Sequence, residues 1–415
     1  MAIPDPGPLQ RYLSPGSSQA WIRRGEGLIG IGEAARFTCR DIDAANAWWS
    51  GFAAALELET ELPGAFGTGP LAFGSFVFDP GHSALASVLV VPETIIGRRG
   101  GQSWLTRLST VVDDYTGLDS PAEAELAAVG LAEASAEPVA PVGVEFDAGE
   151  VSGPDWADMV GRALARIDAG EVSKVVLARS VCATAAQPID PRWVVRELAR
   201  DYPTCWTYLV DGLVGASPEM LIRREGGLAT SRVLAGTIRR NGSEQADLLL
   251  AASLSQSGKN LIEHELAVES VARALAPFCS GMNVPDAPYV LQLPNVLHLA
   301  SDVTGVCSRE VSALTLAARL HPSAAVCGTP TNTARELIRE LESMDRGRYA
   351  GPVGWIDANG DGEWAIALRC GWRDPDNPNK MHLYAGCGIV AESDPQAELA
   401  ETRAKLVPMR DALGG

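Results

Sequence analysis

Lysine is nearly missing from this 415-residue chain: of 34 basic residues only four are lysines, Lys174, Lys259, Lys380 and Lys405. Basic residues as a class are also outnumbered, 34 against 52 acidic, for a formal net charge of -18. That leaves no phosphate-binding surplus and argues against a nucleic-acid partner. An anionic small molecule would need local cations, from a bound metal or from a few placed Lys and Arg. Histidine is scarce, and the five present (His82, His264, His298, His321, His382) show no HxxxH spacing, so the helical zinc motif is excluded. Eight scattered cysteines make no CxxC pair, which fits reduced thiols better than a disulfide or zinc framework. No apolar run reaches membrane-spanning length, and the N-terminus lacks the basic-then-apolar order of a signal peptide. A cytoplasmic protein with no membrane partner is expected.

The scarcity makes each lysine informative, because lysine can lose its proton when its pKa is lowered and arginine effectively cannot. Lys380, in DPDNPNK, reads as a loop residue placed by chance. Lys174 enters a Val-Val-Leu strand pattern after the amphipathic segment 156–169. It therefore sits at a strand mouth or points into a pocket.

The length allows two ordinary domains or one large one, with a large core. Residues 1–115 hold short strand-like runs near 71–78 and 87–91 and a helical stretch near 42–58. An Ala-, Glu- and Pro-rich segment near 118–153 reads as a helix plus linker. From 154 onward the pattern predicts a helix to 169, a strand at 173–181 and a helix at 190–200. Strands follow near 205–210, 213–216 and 219–224, then one long helix near 244–276. Adjacent strand pairs joined by Gly-rich turns favour an antiparallel α+β arrangement. Asp357-Ala-Asn359-Gly-Asp361-Gly362 starts like a calcium loop, but its twelfth position is Leu368 where a bidentate Glu is needed, so a hairpin turn is expected. The glycines of 64–70 lack GK[ST] and suggest no nucleotide site.

Two segments near carboxylates stand out. Leu383-Tyr-Ala-Gly386-Cys-Gly388-Ile-Val390 alternates as a strand does, and its glycines let a ligand approach the backbone. Glu398, Glu401 and Lys405 then follow at i, i+3 and i+7, one stripe of a helix. Such a stripe suits a hard cation such as Mg²⁺ with an anion beside it, or equally a plain surface Glu–Lys pair at i, i+4. Lys259-Asn260-Leu-Ile-Glu263 repeats the geometry, with Asn260 and Glu263 on one face. It too reads as a metal-binding face or a solvated one.

In sequence order the chain carries Lys174-Val-Val-Leu-Ala-Arg, Gly215-Ala-Ser-Pro-Glu219, Leu234-Ala-Gly236-Thr237, Lys259-Asn-Leu-Ile-Glu263-His264, His298-Leu-Ala-Ser and His321-Pro-Ser-Ala-Ala325-Val-Cys-Gly-Thr-Pro330. Tyr349-Ala-Gly-Pro-Val-Gly-Trp355, Ala367-Leu-Arg369, Gly386-Cys-Gly388 and Glu398-Leu-Ala-Glu401-Thr complete the set. Over about 154–412 this order resembles the chorismate-utilising enzymes: isochorismate, salicylate, anthranilate and aminodeoxychorismate synthases. Lys174 makes the isochorismate synthases the nearest likeness, since the amine-using relatives differ there.

The resemblance implies an α+β fold of large antiparallel sheets packed as a sandwich with helices outside. Residues 151–415 would form the chorismate-binding catalytic domain and 1–150 a variable part completing the sheets. It implies Mg²⁺-dependent conversion of chorismate to isochorismate, an isomerase reaction, with salicylate synthesis by further pyruvate elimination as the alternative. Lys174 would be the base that activates water and Glu219 the general acid. Glu263, Glu398 and Glu401 would hold Mg²⁺. Lys405 would support the ring carboxylate, and Tyr349 with Arg369 the enolpyruvyl carboxylate. Gly236, Thr237, Gly386 and Gly388 would supply hydrogen bonds, and His298 and Ala325 would line the ring. Water as nucleophile needs no glutaminase subunit, and a monomer is expected. Two positions depart from the pattern: Asn260 replaces an acidic residue on the metal helix, and Ser323-Ala324 replaces Thr-Pro.

Overall fold

The computed structural model describes residues 1–109, 137–293 and 296–415, with no description of the side chains of Lys259 and Glu263. Part of the expected linker, 118–136, lies outside the described residues. Within the remainder of that segment, Glu145–Ala148 is a short strand paired with Val181–Thr184.

The described strands form two antiparallel sheets, one of twelve strands and one of ten. Both mix early and late chain. Ser18–Arg23 pairs with Trp206–Val210 in the first sheet. In the second, Leu71–Ser75 pairs with Pro352–Asp357. The sheets pack face to face: Trp21, Leu177 and Tyr208 of the first share one apolar cluster with Phe73, Ile222, Trp355 and Trp364 of the second. Trp21 Nε1 donates across the interface to Glu363 Oε2 at 2.7 Å. A second cluster lies between the outer face of the first sheet and two helices, Pro191–Asp201 and Pro395–Ala412, through Ile22, Val181, Leu383, Val194, Leu198, Leu406 and Met409. The architecture is the expected α+β sandwich with helices outside. No helix among the described residues is long and apolar enough to cross a membrane.

Local chemistry explains most element ends. Helix Gly153–Asp168 starts where the Ser152 side chain accepts from Asp155 N, and it buries Trp156, Met159, Val160, Ala163 and Ile167 on one stripe. The expected long helix at 244–276 is two helices, Glu244–Gln256 and Gly258–Leu275. The break falls at Ser257, whose backbone is extended (ψ 107°) and whose side-chain Oγ caps the second helix by accepting from Asn260 N. Serine before glycine favours capping over continuation. Lys380 is not in a loop but opens the strand Lys380–Ile389, opposite Thr184. Asp357–Gly362 is the expected hairpin turn, with Ile356 paired to Gly362 and Asp357 Oδ1 accepting from the backbone N–H groups of Asn359 and Asp361.

Candidate active site

The strand Lys174–Thr184 lies between Lys380–Ile389 and the short strand Gly328–Thr329. At this end of the first sheet a cavity of about 410 Å³ opens. Its lining includes Lys174, Glu219, Gly236, Thr237, His298, Ala325, Tyr349, Arg369, Gly386, Gly388, Glu398, Glu401 and Lys405. Residues spread over more than 230 positions of sequence thus meet in one place. Glu263 lies on helix Gly258–Leu275, and its side chain is outside what is described.

The glycines are dictated by close approach. A Cβ on Gly388 would lie 2.7 Å from Lys174 Cε, and one on Gly386 would lie 2.5 Å from Leu177 O. Gly388 is therefore the space through which the Lys174 stem reaches the cavity. Gly388→Ala should push that stem aside and, if Lys174 is the base the resemblance implies, lower kcat by about 10²-fold, the usual cost of misplacing a reacting group by an ångström. Steady-state kinetics with a thermal melt check this, because the melting temperature should change little while turnover drops.

Glu219 precedes the strand Met220–Glu225. Ser217 fixes the turn: its Oγ donates to Ile366 O at 2.6 Å and accepts from Glu219 N at 3.2 Å. Glu219 is only 8% exposed. Burial pushes its pKa up to about 7, against the opposing pull of Lys174, Lys405 and Arg369. A carboxyl that titrates near neutrality keeps part of its population protonated there and can give a proton.

Gly236 is an extra residue in the ladder between Leu228–Arg239 and Val296–Cys307, where the register shifts between Ala235 and Thr237. Its φ of +78° suits glycine at such a bulge. The shift pairs Thr237 with His298, and Thr237 Oγ1 lies 2.9 Å from His298 Nδ1. Burial, with Arg369 and Lys405 nearby, lowers the His298 pKa to about 3, so the ring is neutral. His298 Nε2 and Arg369 Nη1 are buried with no hydrogen-bond partner. Arg369 is also held at φ 48°, a rare conformation for a bulky residue. A buried guanidinium nitrogen without a partner is what an anionic ligand would satisfy. Tyr349 stacks on Tyr384 with ring centroids 5.3 Å apart, and burial raises its pKa.

Helix Pro395–Ala412 supplies the acidic wall, starting where Asp394 accepts from the N–H groups of Gln396 and Ala397. Lys405 Nζ donates to Gly386 O at 3.0 Å and pairs with Glu401 at 2.8 Å. Burial opposes the Lys405 charge, but Glu401 and Cys387 together outweigh it and the pKa is raised. The Glu–Lys pair at i, i+4 therefore exists, and both of its residues line the cavity while staying partly open to solvent. Among the described residues no group of three or more His, Cys, Asp or Glu side chains could hold a metal ion. Glu398 and Glu401 are nonetheless hard oxygen donors on one wall. Mg²⁺ characteristically takes one or two protein carboxylates plus water and substrate oxygens, so the donor set fits it. Asn260 lines the same cavity, its Nδ2 donating to Ser257 Oγ at 2.9 Å.

A profile described as chorismate binding enzyme matches residues 17–414. The chain belongs to the chorismate-binding enzyme family. Its relatives include the isochorismate synthase DhbC of Bacillus subtilis, 42% identical over 63% of this chain and 68% of that protein. The isochorismate synthase MenF of the same organism is 35% identical over 84% of this chain and 75% of that protein. Among solved structures, the menaquinone-specific isochorismate synthase MenF of Escherichia coli superposes with a TM-score of 0.81 at 26% identity, covering 100% of this chain and 93% of that one. Anthranilate synthase component I of Streptococcus pneumoniae, at 21% identity and a TM-score of 0.73 over 97% of this chain and 93% of that one, shares the fold.

This chorismate-binding enzyme has further cavity residues that sequence reasoning passed over. Arg346 is 4% exposed and donates to Glu342, to Val326 O at 3.0 Å and to Val176 O at 2.6 Å. Glu342 in turn accepts from Ala178 N at 2.8 Å. The pair ties the Lys174 strand to the Ala325 loop, a positioning role rather than contact with a reacting atom. Tyr384, Glu392 and Asp394 also line the cavity. Only the run of charge in Asp345-Arg-Gly-Arg348 hinted at Arg346. Nothing local told which arginine turns inward.

Proposed function

We propose that this enzyme is an isochorismate synthase, converting chorismate to isochorismate with Mg²⁺. The observation that carries the reading is the meeting of Lys174 with a buried Glu219, its pKa raised to about 7, in one cavity. Water adds at C2, the ring double bonds shift, and the C4 hydroxyl leaves as water. Lys174 takes a proton from the attacking water, and Glu219 gives one to the departing hydroxyl. Arg369 and Tyr349 receive the enolpyruvyl carboxylate. Lys405 supports the ring carboxylate and Thr237 orients a neutral His298 against the ring. Glu263, Glu398 and Glu401 would hold Mg²⁺, which when bound offsets the negative charge of a dianionic substrate in an acidic protein.

Incubating the enzyme with chorismate, with Mg²⁺ or with EDTA, and resolving the products by chromatography tests the reading. Isochorismate formed only with Mg²⁺ is the expected result. Salicylate with pyruvate would move the assignment to salicylate synthase, and no turnover with any divalent metal would refute catalysis on chorismate.

A further inference from the structure

Glu219 belongs to two cavities. A second one, of about 330 Å³, shares only Glu219 and Ala325 with the cavity that holds Lys174. Its lining runs from exposed Arg319 and Asn332 inward to Ser231, which is 2% exposed. Lys174 does not reach it. The two groups assigned as base and acid therefore differ: Lys174 lines one cavity, and Glu219 lines both.

The walls of the second cavity suit water. Ser323 lines it, and the Ser323 Oγ is buried without a hydrogen-bond partner. A buried hydroxyl in that state is costly unless water meets it, and a polar site with room holds water, each molecule taking about 30 Å³. The arginines there are partnered. Arg319 pairs with Asp43 at 3.0 Å, Arg232 with Asp302 at 2.7 Å, and Arg335 donates to Asn332. Their positive field is thus partly neutralised and does not bar protons.

If the isochorismate synthase reading holds, each turnover leaves Lys174 with one proton more and Glu219 with one fewer. Lys174 must release a proton to solvent and Glu219 must recover one. The substrate ring fills the space between them, and the expelled water is formed on the Glu219 side. We propose that the second cavity is the water and proton path of Glu219, through which the acid is reprotonated and the expelled water leaves while the first cavity is still occupied.

Plugging the path tests this. Ser270, on helix Gly258–Leu275, and Ala324, on the loop before Ala325, line only the second cavity. Ser270→Leu and Ala324→Leu should each lower kcat about 10-fold, less than the 10²–10⁴ lost with a general acid itself. KM for chorismate should stay unchanged, and the solvent deuterium isotope effect on kcat should rise as proton return becomes limiting. Ser270→Ala, which adds no bulk, should behave as the unsubstituted enzyme. Asn332→Trp closes the exposed mouth without touching the core and is read the same way if either leucine prevents folding. Plugged, folded variants with unaltered kcat and isotope effect would overturn the path. A fall in kcat accompanied by raised KM would also overturn it, because the first cavity would then have been distorted. Failure of the unsubstituted enzyme to form isochorismate is a separate outcome, and it would sink the reading of function instead.

Discussion

Glu219→Gln should lower kcat by about 10²–10⁴, the worth of a positioned general acid. Glutamine keeps the shape and can still donate a hydrogen bond, but it has no proton to give to a leaving hydroxyl. Chorismate affinity should be nearly unchanged, because the groups proposed to take its carboxylates are Arg369, Tyr349 and Lys405, with Arg369 Nη1 unpartnered before binding. The pH dependence adds an independent check. With Glu219 titrating at about 7, kcat/KM of the unsubstituted enzyme should fall as pH rises through that value. Stability carries the same signature. Burial raises this carboxyl from 4.5 to about 7, so between those values the native state binds more protons than the unfolded chain. Stability must then decrease as pH rises across that window, and the loss persists above it. Glu219→Gln removes the titration. It should melt above the unsubstituted enzyme at pH 8 and lose that advantage near pH 4. A variant with normal turnover would remove Glu219 from the role of acid.

The sequence made some of this site legible and hid the rest for definite reasons. Lys174 stood out because arginine is the default cation and a lysine had entered an apolar strand. Gly386 and Gly388 stood out because two glycines in a strand call for close approach, and the structure supplies the approaching atoms, Leu177 O and the Lys174 stem. The stripe of Glu398, Glu401 and Lys405 was visible from helical period, but not which way it faced. That depended on Gly386 O accepting from Lys405 across the sheet edge. The antiparallel α+β class followed from paired strands and tight turns. The mixing of early and late strands in both sheets did not, since pairing between positions such as Trp21 and Tyr208 leaves no local trace. The helix break at Ser257 was missed because apolar periodicity continues across it, and one side-chain cap outweighed that pattern. The pair of Arg346 and Glu342 was missed because an i, i+4 ion pair reads as surface until burial is known.

Lys174→Ala is expected to lower kcat by about 10²–10⁴, as for loss of a general base, while leaving chorismate bound. Loss of activity alone would not separate a base from a charge that merely attracts the substrate, so Lys174→Arg is the sharper variant. Arginine keeps the positive charge opposite a dianion but cannot release its proton at any working pH. If Lys174 acts as the base, Lys174→Arg should be as slow as Lys174→Ala yet bind chorismate more tightly than it does. Arginine's planar head must pass Gly388, where even one added carbon would crowd the lysine stem, so binding should be compared by direct titration rather than inferred from KM. Turnover in Lys174→Arg close to that of the unsubstituted enzyme would show that the position supplies charge only. The water would then be activated by another group of the cavity. Inactivity in both variants, with affinity kept only in Lys174→Arg, would assign proton abstraction to Lys174 and charge attraction to the same side chain as a separable contribution.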